Sequence, residues 1–590
     1  MMLMVPAMGV SNEDLLQDTL KSIGVSFFAL AASFAFFWRC RKHSEPLHFH
    51  NLLCLPLGLM MYALGSMAWS HVYLGGVEAV RWFVFSLILF LGMNTLTHAR
   101  ITTLAWGIHL GAVLAALWAA LQFWFDFKLF AQGPNPASTF VNRNFFAEYL
   151  VCTLPFSVLL LSRVSDKTSV FLLTFSLSFN VVALMMTGTR SALIGLWVLA
   201  VLLPAIALLY RKQFVSTGWR IGHGLALVAL FIAAVWSLGS INTANPKLVA
   251  ESGYGDALDR ATTRTLSMAK SSEYSTGSFS IRALMWQATG RMIQANPVTG
   301  IGAGAWEVQA PLYQKAGSQL ETDYYAHNEI LQLVAEYGLV GWVFLLSLGS
   351  YLVWTAYKTW SDKTCEGQRE APLRALTLAS LLVFLLVSNA GFPWRMATTG
   401  ALFALSLSIL AASDVRLGLG KAFLSRTIQC KQHYTLWALS ATAICTGLAL
   451  YTAQQAIACE AKLVQAIRTA LTIAQSGHPN DPRWDKSKTE MLKLIREGIA
   501  INPHYRKLTP ISADAMASWG DWENATWIWE SVLESRPYIV LMQANVARGY
   551  RHAGDFAKAQ AYLDRAKSLQ PTAPTVIALE IELRRQSVIP

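Results

Sequence analysis

Five arginines and one histidine stand where an apolar chain should keep few charges. Arg143 lies in STFVNRN (138–144), Arg190 in GTRSA (188–192), Arg282 and Arg291 in FSIRALMWQATGRM (279–292), Arg395 in GFPWRM (391–396), and His327 in YYAHNEILQ (324–332). Guanidinium forks pair bidentately with phosphate and stay ionised when partly desolvated. An imidazole titrates near neutrality and can take the proton of an attacking hydroxyl. Arginines converging from separate helix ends would hold a multiply charged anion, and His327 would activate an acceptor beside it, so His327 is the candidate catalytic residue. Arg282 and Arg291 are nine residues apart, on opposite sides of a helix. Arg282, one turn from Trp286, therefore joins Arg143 and Arg190 as the anion-binding set, with Arg291, Arg395, Glu329 and Trp286 as secondary candidates. The competing reading of each arginine is a surface charge reaching for lipid phosphate, and that of a lone histidine is a satisfied polar residue.

The elements that must position these residues are membrane helices. Of 590 residues 54% are hydrophobic and 14% charged, against about 25% charged in soluble domains. About twelve apolar runs approach the roughly 20 residues needed to cross a bilayer, near 20–38, 51–69, 82–98, 102–122, 145–162, 168–187, 191–210, 221–240, 330–357, 374–391, 397–413 and 434–453. Basic loops follow every second run, which assigns them to the cytoplasm and both termini to the other side. The net charge of +12 is explained by those loops, so nucleic acid is not an expected partner. Glu13, Asp14 and Asp18 replace the basic start of a signal peptide, and the first membrane helix is the expected insertion signal. Seven scattered cysteines form no close pair, so neither a disulfide framework nor a metal site is expected.

All the candidate residues fall in the non-cytoplasmic loops, against the positive-inside bias, and such placement needs a local reason. The turn residues GPNP (133–136) precede Arg143, and almost no loop separates the helices flanking Arg190. In the large loop 241–329, Ile281, Leu284, Met285, Ala288, Met292 and Ile293 recur at helical spacing, which predicts an amphipathic helix at the membrane surface. Pro297 ends it, and Gly300, Gly302 and Gly304 follow without the preceding strand of a dinucleotide site, so a tight turn with positive φ is expected. Asp323 and Glu329 flank His327. No carboxylate pair at glycosidase-like spacing and no Asp-x-Asp motif is apparent, which argues against hydrolysis and against a sugar-nucleotide donor.

After Tyr451 the apolar runs stop. Pro503, Pro537 and Pro571 recur every 34 residues, as do Gly520 and Gly554, Asp521 and Asp555, and Ala525 and Ala559. This period is that of tetratricopeptide repeats, with two good repeats at about 504–537 and 538–571 behind a degenerate one. The expected division is an N-terminal segment 1–19, a membrane domain 20–455 and a repeat domain 456–590 whose concave face would hold an acceptor or a protein partner near the site. Trp519, Trp522, Trp527 and Trp529 are expected mainly to pack.

Together STFVNRN, GTRSA, RALMW (282–286), NPVTGIGAGAW (296–306) and AHNEIL (326–331) make residues 80–410 resemble the superfamily of bacterial O-antigen ligases, O-antigen polymerases and protein O-oligosaccharyltransferases. The resemblance implies an all-α polytopic glycosyltransferase of the C type in the bacterial inner membrane. It implies an undecaprenyl-diphosphate-linked glycan donor used on the periplasmic face without a metal ion or other cofactor. It also implies that His327 activates the acceptor hydroxyl and that Arg143, Arg190 and Arg282 hold the diphosphate. The acceptor would be a lipid A core sugar (ligase, the leading expectation), another glycan (polymerase) or a protein hydroxyl (oligosaccharyltransferase). Different readings are a transporter of the same lipid-linked glycan, whose charges should lie near the midplane, and a scaffold that works through the repeats alone.

Overall fold

The computed structural model describes residues 1–11, 15–43, 46–130, 135–140, 142–214, 221–253, 255–270, 277–315, 325–420, 424–429, 431–505 and 508–586. Glu13, Asp14, Asp323, and Gly133 and Pro134 of the turn before Arg143 lie outside these. The chain is a multi-pass helical membrane protein. Ten helices among the described residues are long and apolar enough to span a bilayer. They include α1 (Gln17–His43), α3 (Val72–Thr95), α4 (His98–Phe125), α5 (Arg143–Leu161), α6 (Lys167–Thr187) and α7 (Arg190–Leu209). Two shorter apolar helices, α2 (Cys54–Ser66) and α8 (Ile221–Gly239), account for the remaining apolar runs. The large loop carries α9 (Pro246–Ser252), α10 (Ala257–Ser267) and α11 (Ser278–Ala295), followed by the spans α12 (Glu329–Ser361), α13 (Cys365–Ser388) and α14 (Ala397–Arg416).

α5, α13 and α14 are the innermost spans, with most of their residues buried. α5 packs on α13 and α4, and α14 packs on α3. One end of the bundle is closed by a two-stranded antiparallel sheet, β1 (Leu47–His50) on β2 (Ser425–Ile428), with Leu47 opposite Ile428 and His50 opposite Ser425. Beneath it the buried Arg374 donates to Asp414 (2.6 Å) and to Thr359 Oγ1 (2.9 Å), and Tyr351 donates to Asp414 (2.8 Å).

At the other end α12 is broken. Gly338 has φ 53° and ψ −129°, conformations that a side chain resists. A break at membrane depth leaves backbone groups that need partners, and the 298–302 loop supplies them. Ile301 N donates to Ala335 O, Gly302 N to Glu336 O, and Leu339 N to Val298 O, at 2.9–3.0 Å. A Cβ on Gly300 would lie 2.5 Å from Glu336 O, so the expected glycine turn is a crossing of two backbones. Gly300, Gly302 and Gly304 all have positive φ.

The predicted amphipathic helix is α11. Its buried residues Met285 and Met292 join Ile301, Trp306, Ala326 and Ala335 in a small core. This apolar face covers the glycine loop and the start of α12, while Ile281 and Leu284 remain exposed.

The change in composition after Tyr451 falls inside one continuous helix, α15 (Gln432–Gln475). No loop marks the expected boundary near residue 455, because a helix can pass from an apolar to a polar setting without a break. Beyond it α16 (Asp485–Ile501) is followed by α17 (Thr509–Ser518), α18 (Trp522–Ser535), α19 (Val540–His552), α20 (Phe556–Leu569) and α21 (Pro574–Gln586). The 34-residue period is visible in the caps. Gly520 and Gly554 are both left-handed, and the carboxylates of Asp521 and Asp555 accept from Asn524 N and Lys558 N at the starts of α18 and α20. Trp519 and Trp529 are buried in the core of this region, and Trp522 stacks on His552.

Candidate active site

The N-termini of α3, α5, α7, α12 and α14 meet at the end of the bundle opposite the sheet, and they carry the charged residues. α5 begins at Arg143, whose Nη1 donates to Asn135 Oδ1 (2.8 Å) and Thr187 O (3.4 Å). Arg260 of α10 reaches the same two oxygens, Asn135 Oδ1 and Thr187 O. Two guanidinium groups thus meet at one amide oxygen and one carbonyl. Arg260 is 1% exposed, and like charges held this close favour an anion that both can reach.

The turn between α6 and α7 makes this possible. Gly188 is left-handed (φ 60°), and a Cβ there would lie 2.7 Å from Arg260 Nε. Arg190, two residues on, donates from Nε to Ser267 Oγ at the end of α10 (3.3 Å), and Thr189 Oγ1 donates to Asn144 Oδ1 (3.1 Å). Arg143, Arg190 and Arg260 therefore gather around residues 187–190.

His327 lies beside this group, connected through the first turn of α5. Phe145 packs on Phe392 (4.9 Å between ring centroids), and the His327 ring packs on the same Phe392 (5.4 Å). The backbone of His327 has φ 51°, a strained conformation for a residue with a side chain, and such strain persists only where the surroundings enforce it. On one side Ala326 N donates to Gln332 Oε1 (2.9 Å), and Ala326 O accepts from Trp286 Nε1 (3.0 Å). On the other side Asn328 caps α12 by accepting from Leu331 N (3.0 Å). Trp286 is thus a clamp on the histidine loop.

Arg395 lies beneath that loop, 4% exposed. It donates to Glu78 (2.8 Å), Glu329 (3.1 Å) and Glu336 (2.8 Å). Burial disfavours its charge, but Glu336, Glu78 and Glu329 outweigh that effect and hold the guanidinium well above its ordinary value. Gln332 continues the network by donating to Glu336 (2.8 Å), so the chain Arg395, Glu336, Gln332, Ala326 leads directly to His327. Arg81 pairs with Glu78 Oε2, and Tyr337 donates to the same oxygen (3.1 Å), leaving Oε1 to Arg395. Burial raises the phenol of Tyr325, which lies under Arg395.

The remaining candidates are placed as follows. The charge of Arg282 acts on Glu148, a buried carboxylate of α5 that fits against Gly391. Arg291 turns away and donates to Tyr313 O (2.6 Å). Glu329 is bound to Arg395 at the start of α12. Sequence reasoning missed Arg260, Glu78, Glu148 and Glu336. The last three are acidic residues inside apolar helices, itself a signal of a polar network. Among the described residues no group of three or more His, Cys, Asp or Glu is placed to hold a metal ion.

Residues 173–346 match the family model described as O-antigen ligase, a stretch that runs from α6 to the middle of α12 and contains Arg190, Arg260, Arg282 and His327. No curated protein matches the chain. The match supports the O-antigen ligase superfamily and a ligase- or polymerase-like glycosyltransferase acting on glycan and lipid-linked substrates in a membrane.

Proposed function

We propose, from that match, that the protein is an inner-membrane O-antigen ligase. It would move a glycan from undecaprenyl diphosphate to an acceptor hydroxyl at the periplasmic face, without a metal ion. The observation that carries this reading is the meeting of Arg143 and Arg260 at Asn135 and Thr187, with Arg190 in the adjoining turn and His327 joined to the first turn of α5 through Phe392. In this mechanism the His327 imidazole takes the proton of the acceptor hydroxyl as its oxygen attacks the anomeric carbon. The bond from that carbon to the diphosphate oxygen breaks, and undecaprenyl diphosphate leaves with the electron pair. Negative charge grows on the leaving group, and fixed cations stabilise it there. Arg143, Arg190 and Arg282, with Arg260 added, would hold the diphosphate, and direct displacement inverts the anomeric centre.

The test is incubation of the purified protein with an undecaprenyl-diphosphate-linked oligosaccharide and three acceptors: lipid A core, a lipid-linked glycan and a Ser/Thr protein. Transfer to lipid A core supports the ligase. Transfer to the glycan or to the protein assigns a polymerase or an oligosaccharyltransferase. The break in α12 at Gly338 favours a second reading, since transporters build sites from broken helices. Movement of the donor across vesicles with no transfer would select it. The helices after α15 are proposed as a periplasmic repeat domain.

A further inference from the structure

A cavity of about 300 Å³ lies where the helices after the last membrane span meet the site end of the bundle. Its membrane-domain wall includes Tyr73, Glu78, Glu307, Tyr325 and Arg395, and its other wall includes Asn502, His504 and Arg536. The two walls are joined by specific contacts. Arg536 pairs with Glu307 (3.0 Å), with both side chains only 13% exposed. Asn502 Nδ2 donates to Tyr73 Oη (3.0 Å), and His504 stacks on Tyr73 (centroids 5.0 Å apart, planes 22° apart). Burial, reinforced by the charges of His504 and Arg536, lowers the pKa of the neighbouring His71.

The floor of the cavity touches the machinery described above. The Tyr325 ring lies 4.2 Å from Phe392, the same ring that His327 packs against, and only Ala326 separates Tyr325 from His327. Arg395 lies 5.6 Å above Tyr325.

We infer that this cavity is a binding site for an uncharged saccharide, the acceptor, and that the C-terminal helices complete it. Its volume is at the lower end of the range for small-ligand pockets. Flat rings (Tyr73, Tyr325, His504) alternate with acceptor-only carboxylates (Glu78, Glu307) and donors (Arg536, the Asn502 amide). A sugar presents a C–H face to rings and hydroxyls that both donate and accept, so it satisfies both kinds of wall. A phosphate would face the carboxylates of Glu78, Glu307 and Glu460, and a lipid chain would meet a largely polar and charged lining to which it offers no hydrogen bond. The acceptor role rests on the transferase reading; saccharide binding does not.

The experiment is saturation-transfer NMR on the full chain in detergent. The probes are methyl α-D-glucoside, methyl α-D-mannoside and N-acetylglucosamine, with inorganic phosphate and a Ser/Thr peptide as competing probes. Binding of at least one neutral saccharide is expected. It should weaken about tenfold in His504→Ala, through loss of the ring, recover in His504→Phe, and persist in His327→Ala. In the transfer assay His504→Ala raises the acceptor KM and leaves donor KM unchanged. Saccharide signals that are absent, or that are the same in His504→Ala as in the parent, overturn the inference, as does displacement by the peptide or by phosphate. If saccharide binding behaves as expected while His327→Ala still transfers glycan, the transferase mechanism fails and the binding site stands.

Discussion

Arg395 and the pair Arg143 and Arg260 occupy the same end of the molecule and are wired in opposite ways. Arg395 meets three carboxylates, Glu78, Glu329 and Glu336, whereas Arg143 and Arg260 converge on one amide oxygen and one carbonyl. An arginine that ties three buried carboxylates together fixes structure, because removing it takes the counter-ion from Glu329 and Glu336 and one of two from Glu78. Arg143 and Arg260 are brought to the same two neutral oxygens, which supports the anion-sharing role proposed for them. Arg260 and Arg395 are both buried arginines, and the difference between these contacts is the basis for proposing a binding role for one and a positioning role for the other.

Arg395→Ala should have the largest effect. Loss of the shared cation should destabilise the fold by about 3–5 kcal/mol, seen as a lower thermal midpoint and poor recovery of monodisperse protein in detergent. A stable Arg395→Ala protein with normal activity would break the comparison from one side. Arg260→Ala and Arg143→Ala should keep the thermal midpoint and lose transfer by roughly 10²–10³-fold, the scale of losing one preorganised group at a developing charge. If either variant unfolds as Arg395→Ala does, the comparison breaks from the other side. Trp286→Phe keeps the bulk of the ring but removes the N–H held by Ala326 O. A net hydrogen bond of about 1 kcal/mol predicts a several-fold fall in kcat with little change in donor KM. Arg291→Ala, which gives up one bond to Tyr313 O away from this cluster, should change activity by less than about threefold, within the usual range of surface substitutions.

Much of this architecture was legible in the sequence. Apolar length alone located the spans, and the positive-inside bias marked Arg143, Arg190, Arg282 and His327 as cations needing a local reason. The 34-residue period recurs in the matched caps of Asp521 and Asp555, because a capping carboxylate acts within three residues of its own position. Arg260 escaped notice because its helix reads as an ordinary polar segment, and only the tertiary packing of α10 on α6 and α7 brings it to Thr187. The pairing of Arg395 was hidden for the same reason: its partners Glu78 and Glu336 lie 317 and 59 residues away. Gly188 was a clue to the missing arginine, since its left-handed turn leaves the space through which Arg260 passes. The boundary expected near residue 455 rests on composition alone, since composition changes along α15 while the helix continues.

The central claim is that an imidazole at position 327 activates an acceptor beside arginines that hold the donor diphosphate. The most direct measurement is single-turnover transfer from a purified undecaprenyl-diphosphate-linked oligosaccharide, comparing His327→Ala with the parent at equal folded concentration. The account predicts that His327→Ala binds the donor as tightly as the parent and transfers it at least about 10²-fold more slowly, the scale of losing a general base. Transfer by His327→Ala at the parent's rate would contradict it.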